Sequence, residues 1–311
     1  MLWAATIGVF ILVATSGDPL AELKLNPLIS DATIRNRAHL LHLDKSLIER
    51  YWIWFSGIFR GDLGRTYRNA DVRSELFGHM AVTMRMVVIA LFLAVFIAIS
   101  LGVLAAVRRG RAVDRAIQFS SFFFLATPVF VVGLFFQYYV AVPLAKHFHR
   151  QIFSTAGATG TFATGNFIQR LPDYFAHMTL PTVTLILAVF SSWTIYQRSS
   201  ILETVNLDYV LLARSKGISP RRVLVRHVLR NALIPVTTVI ALDFAGLLGG
   251  ALITEQVYSW NGLGRWYLMG ASNQDVNVTL AYLLFTATVV ITFNFLADVA
   301  YGILDPRIRY Q

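Results

Sequence analysis

Long apolar runs recur along this chain of 311 residues and restrict its fold more than any other feature. An α-helix needs roughly 20 apolar residues to cross about 30 Å of hydrocarbon. Only 14% of the residues are charged, whereas soluble domains average about 25%. We therefore predict an all-α, polytopic membrane protein with six transmembrane helices at residues 1–15, 82–107, 115–140, 178–199, 232–254 and 277–303.

The first run, residues 1–15, is shorter than a full span and has no Lys or Arg ahead of it. It therefore lacks the basic region with which a signal peptide begins. We interpret it as the outer part of a truncated first transmembrane helix. The alternative is a short helix that the bilayer accommodates by local thinning.

Basic residues are concentrated in alternate short loops, which predicts the orientation of the chain. The loops 108–115 and 198–231 and the tail 304–311 are rich in Lys and Arg, whereas the loops 141–177 and 255–276 contain few. Short cytoplasmic loops are enriched in these residues. Both termini are therefore predicted to be cytoplasmic, with segment 16–81 on the outside. This arrangement also accounts for the net charge of +10, so nucleic acid is not expected as a partner.

The outer segment 16–81 is predicted to be partly helical, because residues 33–60 alternate apolar and charged positions at helical spacing. The sequence RGDLG, Arg60–Gly64, is typical of a turn. His39 and His42 can share a helix face, but no further ligand follows at a matching offset. A solvent-facing helix is favoured over a metal site. Cysteine is absent, which excludes disulfides and thiolate metal ligands.

A basic segment, Asp208–Pro235, lies between the fourth and fifth apolar runs. Its sequence predicts two short helices that meet at Gly217. We expect Asn206 to cap the first helix and Gly217 to end it in the left-handed conformation. Ser219 is expected to cap the second, with Pro220 at its first position.

The charges in the basic segment follow the helix pattern. Asp208 lies in the first turn of the first helix, and Arg214 and Lys216 lie in its last turn, where each sign suits the helix dipole. Arg222 and Arg226 begin a basic stripe at every fourth residue. The second helix also has an apolar side, formed by Val223, Leu224, Val228 and Leu229. Such an ordered, amphipathic loop favours a docking surface for another protein; a loop lying on anionic lipid is the alternative.

The basic segment resembles the conserved cytoplasmic loop of importer-type ABC permeases. That motif begins Glu-Ala-Ala and has a glycine four residues after the second alanine. Leu211, Leu212 and Ala213 take the first three positions here, and Gly217 is the glycine. Leu211 replaces the glutamate, and Arg230 stands where a proline is expected. Both departures resemble the branch of the family that carries peptides.

Further motifs extend this resemblance along nearly the whole chain. In order they are SGDP (Ser16–Pro19), RGDLG (Arg60–Gly64), TPVF (Thr127–Phe130), Leu180–Pro181, YSWNGLGR (Tyr258–Arg265) and LDPRIRY (Leu304–Tyr310). Each motif alone is weakly specific, but the ordered set resembles the oligopeptide/dipeptide permeases of ABC importers, in the family of binding-protein-dependent transport inner-membrane components.

The resemblance implies a type I ABC importer permease fold in the cell membrane of a prokaryote. This chain would form half of the pore beside a second homologous permease subunit, surrounded by membrane lipid. Two ABC ATPase subunits would hold ATP and Mg²⁺, and an extracytoplasmic binding protein would deliver peptide. The chain itself has no G-x-x-x-x-G-K-[ST] phosphate loop. We therefore expect a transporter subunit that is not an enzyme and holds no cofactor or metal.

On this resemblance, the cytoplasmic coupling-helix loop 201–231 is expected to transmit ATPase closure to a permease core at 82–303 in an alternating-access cycle. The residues assigned to coupling with the ATPase are Asp208, Ala213, Arg214, Lys216, Gly217, Ser219, Pro220, Arg221, Arg222 and Arg226. Relatives with these motifs carry dipeptides, longer peptides, glutathione, nickel chelates or haem. Peptide is the expected cargo.

Asp243 lies in the middle of the fifth apolar run. A carboxylate there is costly unless it faces a cavity or a partner, which makes it a candidate for function. Gly246, Leu247 and Gly250 share its helix face. We assign these four residues to the translocation path. A structural Asp243, bonded to a neighbouring helix beside small residues that pack closely, is the alternative.

The aromatic residues of the loop before the sixth run, Tyr258, Trp260 and Trp266, are expected at the membrane interface. Together with Glu255 and residues 33–75, they are alternatively part of a docking site for the binding protein. Two other protein classes fit less well. A secondary transporter needs repeats and several midplane carboxylates, and a membrane hydrolase needs a nucleophile within reach of a base.

Overall fold

In a computed structural model of the chain, residues 2–160 and 166–304 are described. Within those ranges the chain is helical, and the one β-type pairing is an isolated bridge between Arg65 and Asp71. The predicted all-α class is confirmed. The helices are α1 (Leu2–Ser16), α2 (Ala21–Leu25), α3 (Asp31–Leu40), α4 (Leu47–Ile58), α5 (Val72–Val107), α6 (Ala112–Ala126), α7 (Val129–Phe135), α8 (Val142–Phe148), α9 (Phe167–Thr204), α10 (Asp208–Ser215), α11 (Pro220–Val223), α12 (Arg230–Val257), α13 (Leu263–Ser272) and α14 (Val276–Leu304).

Five stretches of the described residues are helical, long and apolar enough to cross a membrane. They are Val72–Val107, Val129–Phe148, Ile168–Thr204, Pro220–Phe244 and Val276–Leu296. The first apolar run also forms a helix, but its apolar part, Trp3–Ser16, is shorter than a span. The structure thus contains five candidate spans and one short apolar helix, where the sequence predicts six crossings. The predicted tail lies outside the described residues beyond Leu304.

The predicted third segment, 115–140, is not one helix. Helix α6 ends at Ala126, and Thr127 is extended, with φ −90° and ψ 122°. The ring of Pro128 disfavours helical geometry at the preceding residue and removes one N–H donor. The candidate span starts only at Val129, where α7, a π-helical turn (Phe136–Ala141) and α8 follow one another.

Two other predicted segments are longer in the structure. Helix α9 continues through Pro172 and Pro181, so Leu180–Pro181 does not open the fourth segment. Helix α11 runs through a π-helical turn (Leu224–Leu229) directly into α12. The prediction of a short second helix in the basic segment is therefore wrong, because α11 is the first part of a membrane-length helix.

The outer segment is partly helical, as predicted, but residues 33–60 form two helices. Helix α3 ends at Leu40, and His42 adopts a positive φ of 54° in the following turn. His39 and His42 therefore do not share a helix face. Helix α4 begins with a capping box formed by Ser46 and Glu49. The RGDLG turn is confirmed, with the Gly64 N–H donating to Asp62 Oδ1 at 2.8 Å.

The chain divides into two compact units. The first unit comprises residues 1–84 and 259–289. One of its clusters packs Phe10 and Val13 of α1 against Trp54 of α4 and Leu280 of α14. At the start of α14, the buried Asp275 accepts a hydrogen bond of 2.7 Å from the Tyr67 N–H. Burial raises the pKa of Asp275 to about 6.

The loop before α14 is buried and does not present its aromatic rings. Trp260 is fully buried, and Trp266 is only 8% exposed and donates from Nε1 to Glu75 Oε2 at 2.9 Å. Tyr258, at the end of α12, is also buried, as is Glu255. These aromatic rings therefore fill the protein core, and their placement at the membrane interface stays a prediction.

The second unit comprises residues 85–258 and 290–311. Helix α9 is its centre and packs against α6, α7 and α12. Gly102 marks a close crossing of α5 with α9. A Cβ at this position would meet Gln197 Cβ at 2.7 Å and the carbonyl oxygen of Thr194 at 3.1 Å. The two helices approach this closely because residue 102 has no side chain.

We expect Gly102→Ala to lower the melting temperature of the purified protein, since overpacking costs about 1–3 kcal/mol. Gly78 in the same helix is the control, because a Cβ there meets no atom within 4 Å. Gly78→Ala should raise the melting temperature slightly, because alanine is the better helix former by about 1 kcal/mol. A melting temperature of Gly102→Ala at or above wild type would contradict the close crossing.

Candidate functional site

The basic segment begins with helix α10, whose end has the geometry expected at Gly217. Gly217 has a φ of +74°. Its N–H donates to the Arg214 carbonyl at 2.9 Å, and the Ile218 N–H reaches back to the Ala213 carbonyl at 3.4 Å. This pair of bonds is a Schellman motif, which satisfies carbonyls that the helix end leaves free. Lys216 is the C-cap residue.

The start of each helix differs from the prediction in its capping. Helix α10 begins at Asp208 with Leu207 as its N-cap. The Asn206 side chain instead donates backward to the Leu202 carbonyl at 3.0 Å, so the predicted Asn206 cap is wrong. Ser219 and Pro220 hold the predicted N-cap and first positions of α11, but the Ser219 side chain makes no capping bond.

One side of the basic segment is buried. Val210 and Ala213 of α10 pack with Val223 and Val228 in a single apolar cluster. The same cluster contains Ile201 near the end of α9, Ala106 near the end of α5, and Ala232 at the start of α12. Of the assigned coupling residues, Ala213 therefore holds the segment against the helix ends.

The opposite side of the segment carries its charges. The other assigned coupling residues are exposed: Asp208, Arg214, Lys216, Gly217, Ser219, Pro220, Arg221, Arg222 and Arg226. Burying the apolar side while every charged group stays in water avoids the cost of desolvating the guanidinium groups. The structure thus leaves nine of the ten predicted coupling residues exposed and buries the tenth, Ala213, in the apolar cluster.

Two exposed leucines on this surface are not explained by helix periodicity. Leu211 and Leu212 are 46% and 55% exposed, beside the basic side chains. Exposed apolar residues that form a patch with a polar rim mark protein or membrane interaction sites. The sequence assigned both leucines to motif positions but did not predict their exposure. Their exposure depends on which face of α10 the apolar cluster covers.

A tyrosine also fixes the segment. Tyr209 Oη donates to the His227 carbonyl at 3.3 Å and accepts a bond from Asn231 Nδ2. These bonds join α10 to the beginning of α12 across the Gly217 turn. The sequence carried no signal for this contact.

The intramembrane carboxylate, Asp243, has a partner. Trp193 Nε1 on α9 donates to Asp243 Oδ2 at 2.8 Å, and Trp193 is fully buried. Leu247, one turn further along α12, is 1% exposed. Gly246 and Gly250 are helical positions of α12, but their surroundings lie outside the described residues. In this conformation the arrangement matches the structural alternative for Asp243.

An ion pair joins α6 to α9. Arg198 Nε and Nη2 donate to the two Asp114 carboxylate oxygens at 2.7 and 2.9 Å. The Gly110 N–H donates to Asp114 Oδ2 at 2.8 Å. The hydrogen bonds from Arg198 hold the pKa of Asp114 below its usual value. Sequence reasoning treated both residues only as loop charges, because partners 84 residues apart leave no local signal.

A cavity of about 630 Å³ lies in the first unit. Its lining includes His39, His42, Asp62, Asp71 and Asp275. Among the described residues, no group of three or more such side chains is placed to hold a metal ion.

The membrane-length helices, with the amphipathic basic segment between two of them, define a polytopic helical membrane protein. Residues 98–310 match the family described as "Binding-protein-dependent transport system inner membrane component". The chain belongs to this family.

Curated relatives cover nearly the whole chain. The oligopeptide transport system permease protein OppB of Mycobacterium tuberculosis is 35% identical over 99% of this chain and 95% of its own length. The oligopeptide transport system permease protein AppB of Bacillus subtilis is 32% identical over 100% of this chain and 95% of its own length. The dipeptide permease DppB of Escherichia coli is 35% identical over 95% of this chain and 91% of its own.

Solved structures share the fold at low sequence identity. An inward-facing structure of the MetNI methionine ABC transporter has a TM-score of 0.55 and 16% identity, covering 74% of this chain and 96% of that one. The structure of an amino acid ABC transporter has a TM-score of 0.52 and 14% identity, covering 73% of this chain and 93% of that one. These similarities confirm the ABC permease fold.

The bond between Trp193 and Asp243 can be tested by a double-mutant cycle. Trp193→Phe and Asp243→Asn should each lower the melting temperature of the purified protein. Trp193→Phe removes a hydrogen bond to a charged group, which is worth about 1.5–3 kcal/mol. The decrease in melting temperature of the double variant should be smaller than the sum of the two single decreases, because both removed groups belong to one contact. Strict additivity would contradict a direct bond.

Proposed function

We propose that this chain is a permease subunit of an ATP-driven peptide importer. It forms half of the translocation pathway for peptides that an extracytoplasmic binding protein delivers. Family membership supports the importer assignment, and the oligopeptide and dipeptide permeases among its relatives support peptide as the cargo. The second half of the pathway is a homologous permease subunit.

The observation that carries this proposal is the two-sided basic segment. Its apolar side is fixed to the ends of α5, α9 and α12 through the cluster around Val210 and Val223. Its other side presents arginines and two exposed leucines. A segment held this firmly on one side passes a push on its outer surface to the helices beneath it.

The ATPase subunits supply that push in our proposal. ATP and Mg²⁺ bind to two separate subunits, which close on hydrolysable nucleotide and move the basic segment as a lever. The helices then alternate between inward- and outward-facing states. The excess of basic residues supports a cytoplasmic position for the segment and both termini, in a multi-pass protein of the inner membrane.

The translocation path itself includes α12 in this proposal, with Asp243, Gly246, Leu247 and Gly250 as candidates. The bond from Trp193 gives Asp243 a structural role in the state described here. The carboxylate contributes to the path if the helices separate during the cycle. Asp243→Leu should then reduce uptake while the complex still assembles.

Charge reversal on the exposed side of α11 tests the coupling role. In proteoliposomes containing the whole complex, Arg221→Glu/Arg222→Glu should abolish most ATP-driven peptide uptake, because it turns attraction to the ATPase into repulsion. The melting temperature of the membrane part should stay near wild type, since both side chains are exposed. Arg150→Glu, an exposed arginine in a predicted outer loop, is the matched control.

Wild-type uptake together with normal stimulation of ATP hydrolysis in the Arg221/Arg222 variant would contradict the coupling role. Failure of the wild-type complex to import any peptide would contradict the proposed cargo.

A further inference from the structure

Asp114 of α6 and Arg198 of α9 form a buried, two-pronged ion pair. Both carboxylate oxygens of Asp114 accept bonds from the Arg198 guanidinium, at 2.7 and 2.9 Å. The side chains are 5% and 19% exposed, respectively. Both partners are thus largely withdrawn from solvent, and the Asp114 carboxylate is the more deeply buried of the two.

The surroundings of the pair hold both side chains in place. The Gly110 N–H donates to Asp114 Oδ2 at 2.8 Å, at the turn that precedes α6. The amide oxygen of Gln118, one turn along α6, accepts from Arg198 Nη1 at 2.9 Å when the amide is oriented to satisfy its neighbours. Arginine forms such planar, two-pronged contacts and lysine does not. The pair therefore fixes the rotation of α6 relative to α9 as well as their separation.

The place of the pair along α9 connects it to the basic segment. Ile201, three residues after Arg198, lies in the apolar cluster with Val210, Ala213 and Val223 of that segment. Ser200 Oγ donates to the Ala232 carbonyl of α12 at 2.9 Å. The last turns of α9 are thus bonded to α6 on one side and to the segment and α12 on the other.

Helix α6 leads on to the rest of the second unit. It ends at the extended Thr127, and α7 follows after Pro128. Helix α7 packs against both α9 and α12. A displacement of α6 is therefore transmitted to α7 along the backbone, through the non-helical residues Thr127 and Pro128.

We propose that Asp114 and Arg198 are positioning residues for energy coupling, which make α6 follow α9 when the basic segment moves. This inference rests on the proposed function. In this inference both residues act through the helices that they join. The alternative is a pair that only stabilises the fold, and it predicts a different result in the following experiment.

The experiment measures ATP hydrolysed per labelled peptide imported, in proteoliposomes with the complete complex and peptide-loaded binding protein. Asp114→Asn and Arg198→Lys keep the side-chain length but remove the charge or the two-pronged contact. We expect both to raise the ratio roughly two- to thirtyfold, the range that coupling residues outside ligand sites produce. Arg115→Gln is the control, since Arg115 is adjacent but exposed, and should keep the wild-type ratio.

The double variant Asp114→Asn/Arg198→Gln separates positioning from stability. Removing both charges leaves no unpaired charge buried, so the double variant should melt closer to wild type than Asp114→Asn does. Its ratio of ATP to peptide should nevertheless stay raised. If the double variant assembles poorly, Arg198→Lys allows the same comparison of melting temperature with the ratio of ATP to peptide, because it leaves the charge pair in place.

A wild-type ratio in the double variant or in Arg198→Lys would overturn the inference. So would uptake and hydrolysis that fall together, in proportion to the amount of assembled complex. A wild-type complex that imports no peptide would overturn the proposed function and this inference with it. Normal import with unchanged ratios in all variants would overturn the inference alone.

Discussion

The packing of the basic segment against the ends of the long helices is the contact on which the rest of the structure depends. A charged stretch between two apolar runs cannot enter hydrocarbon, and free in water it would leave Val210, Ala213, Val223 and Val228 exposed. Burying these residues against Ile201 and its neighbours satisfies both requirements. The Schellman motif at Gly217 sets the angle between α10 and α11 that makes this burial possible.

The same contact explains how a chain without a nucleotide-binding motif would take part in the proposed ATP-driven import. The outer surface of the segment is positive and carries two exposed leucines, whereas its inner surface belongs to the core of the second unit. Force applied to the outer surface thus reaches α9 and α12 through packed side chains. The ion pair of Asp114 with Arg198 extends the same connection to α6.

Local patterns in the sequence predicted much of this fold. Apolar runs located the long helices, and the glycine, serine and proline signals located the C-terminal end of α10 and the start of α11. Proline was the least reliable signal: Pro128 breaks a run, whereas Pro181 lies inside α9. The outcome depends on whether neighbouring helices compensate the lost hydrogen bond. The partners of Asp243 and Asp114 lie 50 and 84 residues away, so only the folded chain shows them.

A cross-linking measurement tests the central claim most directly. The chain contains no cysteine, so a single cysteine at Arg222 can carry a photo-reactive group in the intact complex. Phe92, a 72% exposed residue of the membrane-length helix α5, is the control position. We expect the group at residue 222 to cross-link to an ATPase subunit and the group at residue 92 to give no such product. Adducts with lipid alone at residue 222 would contradict the account.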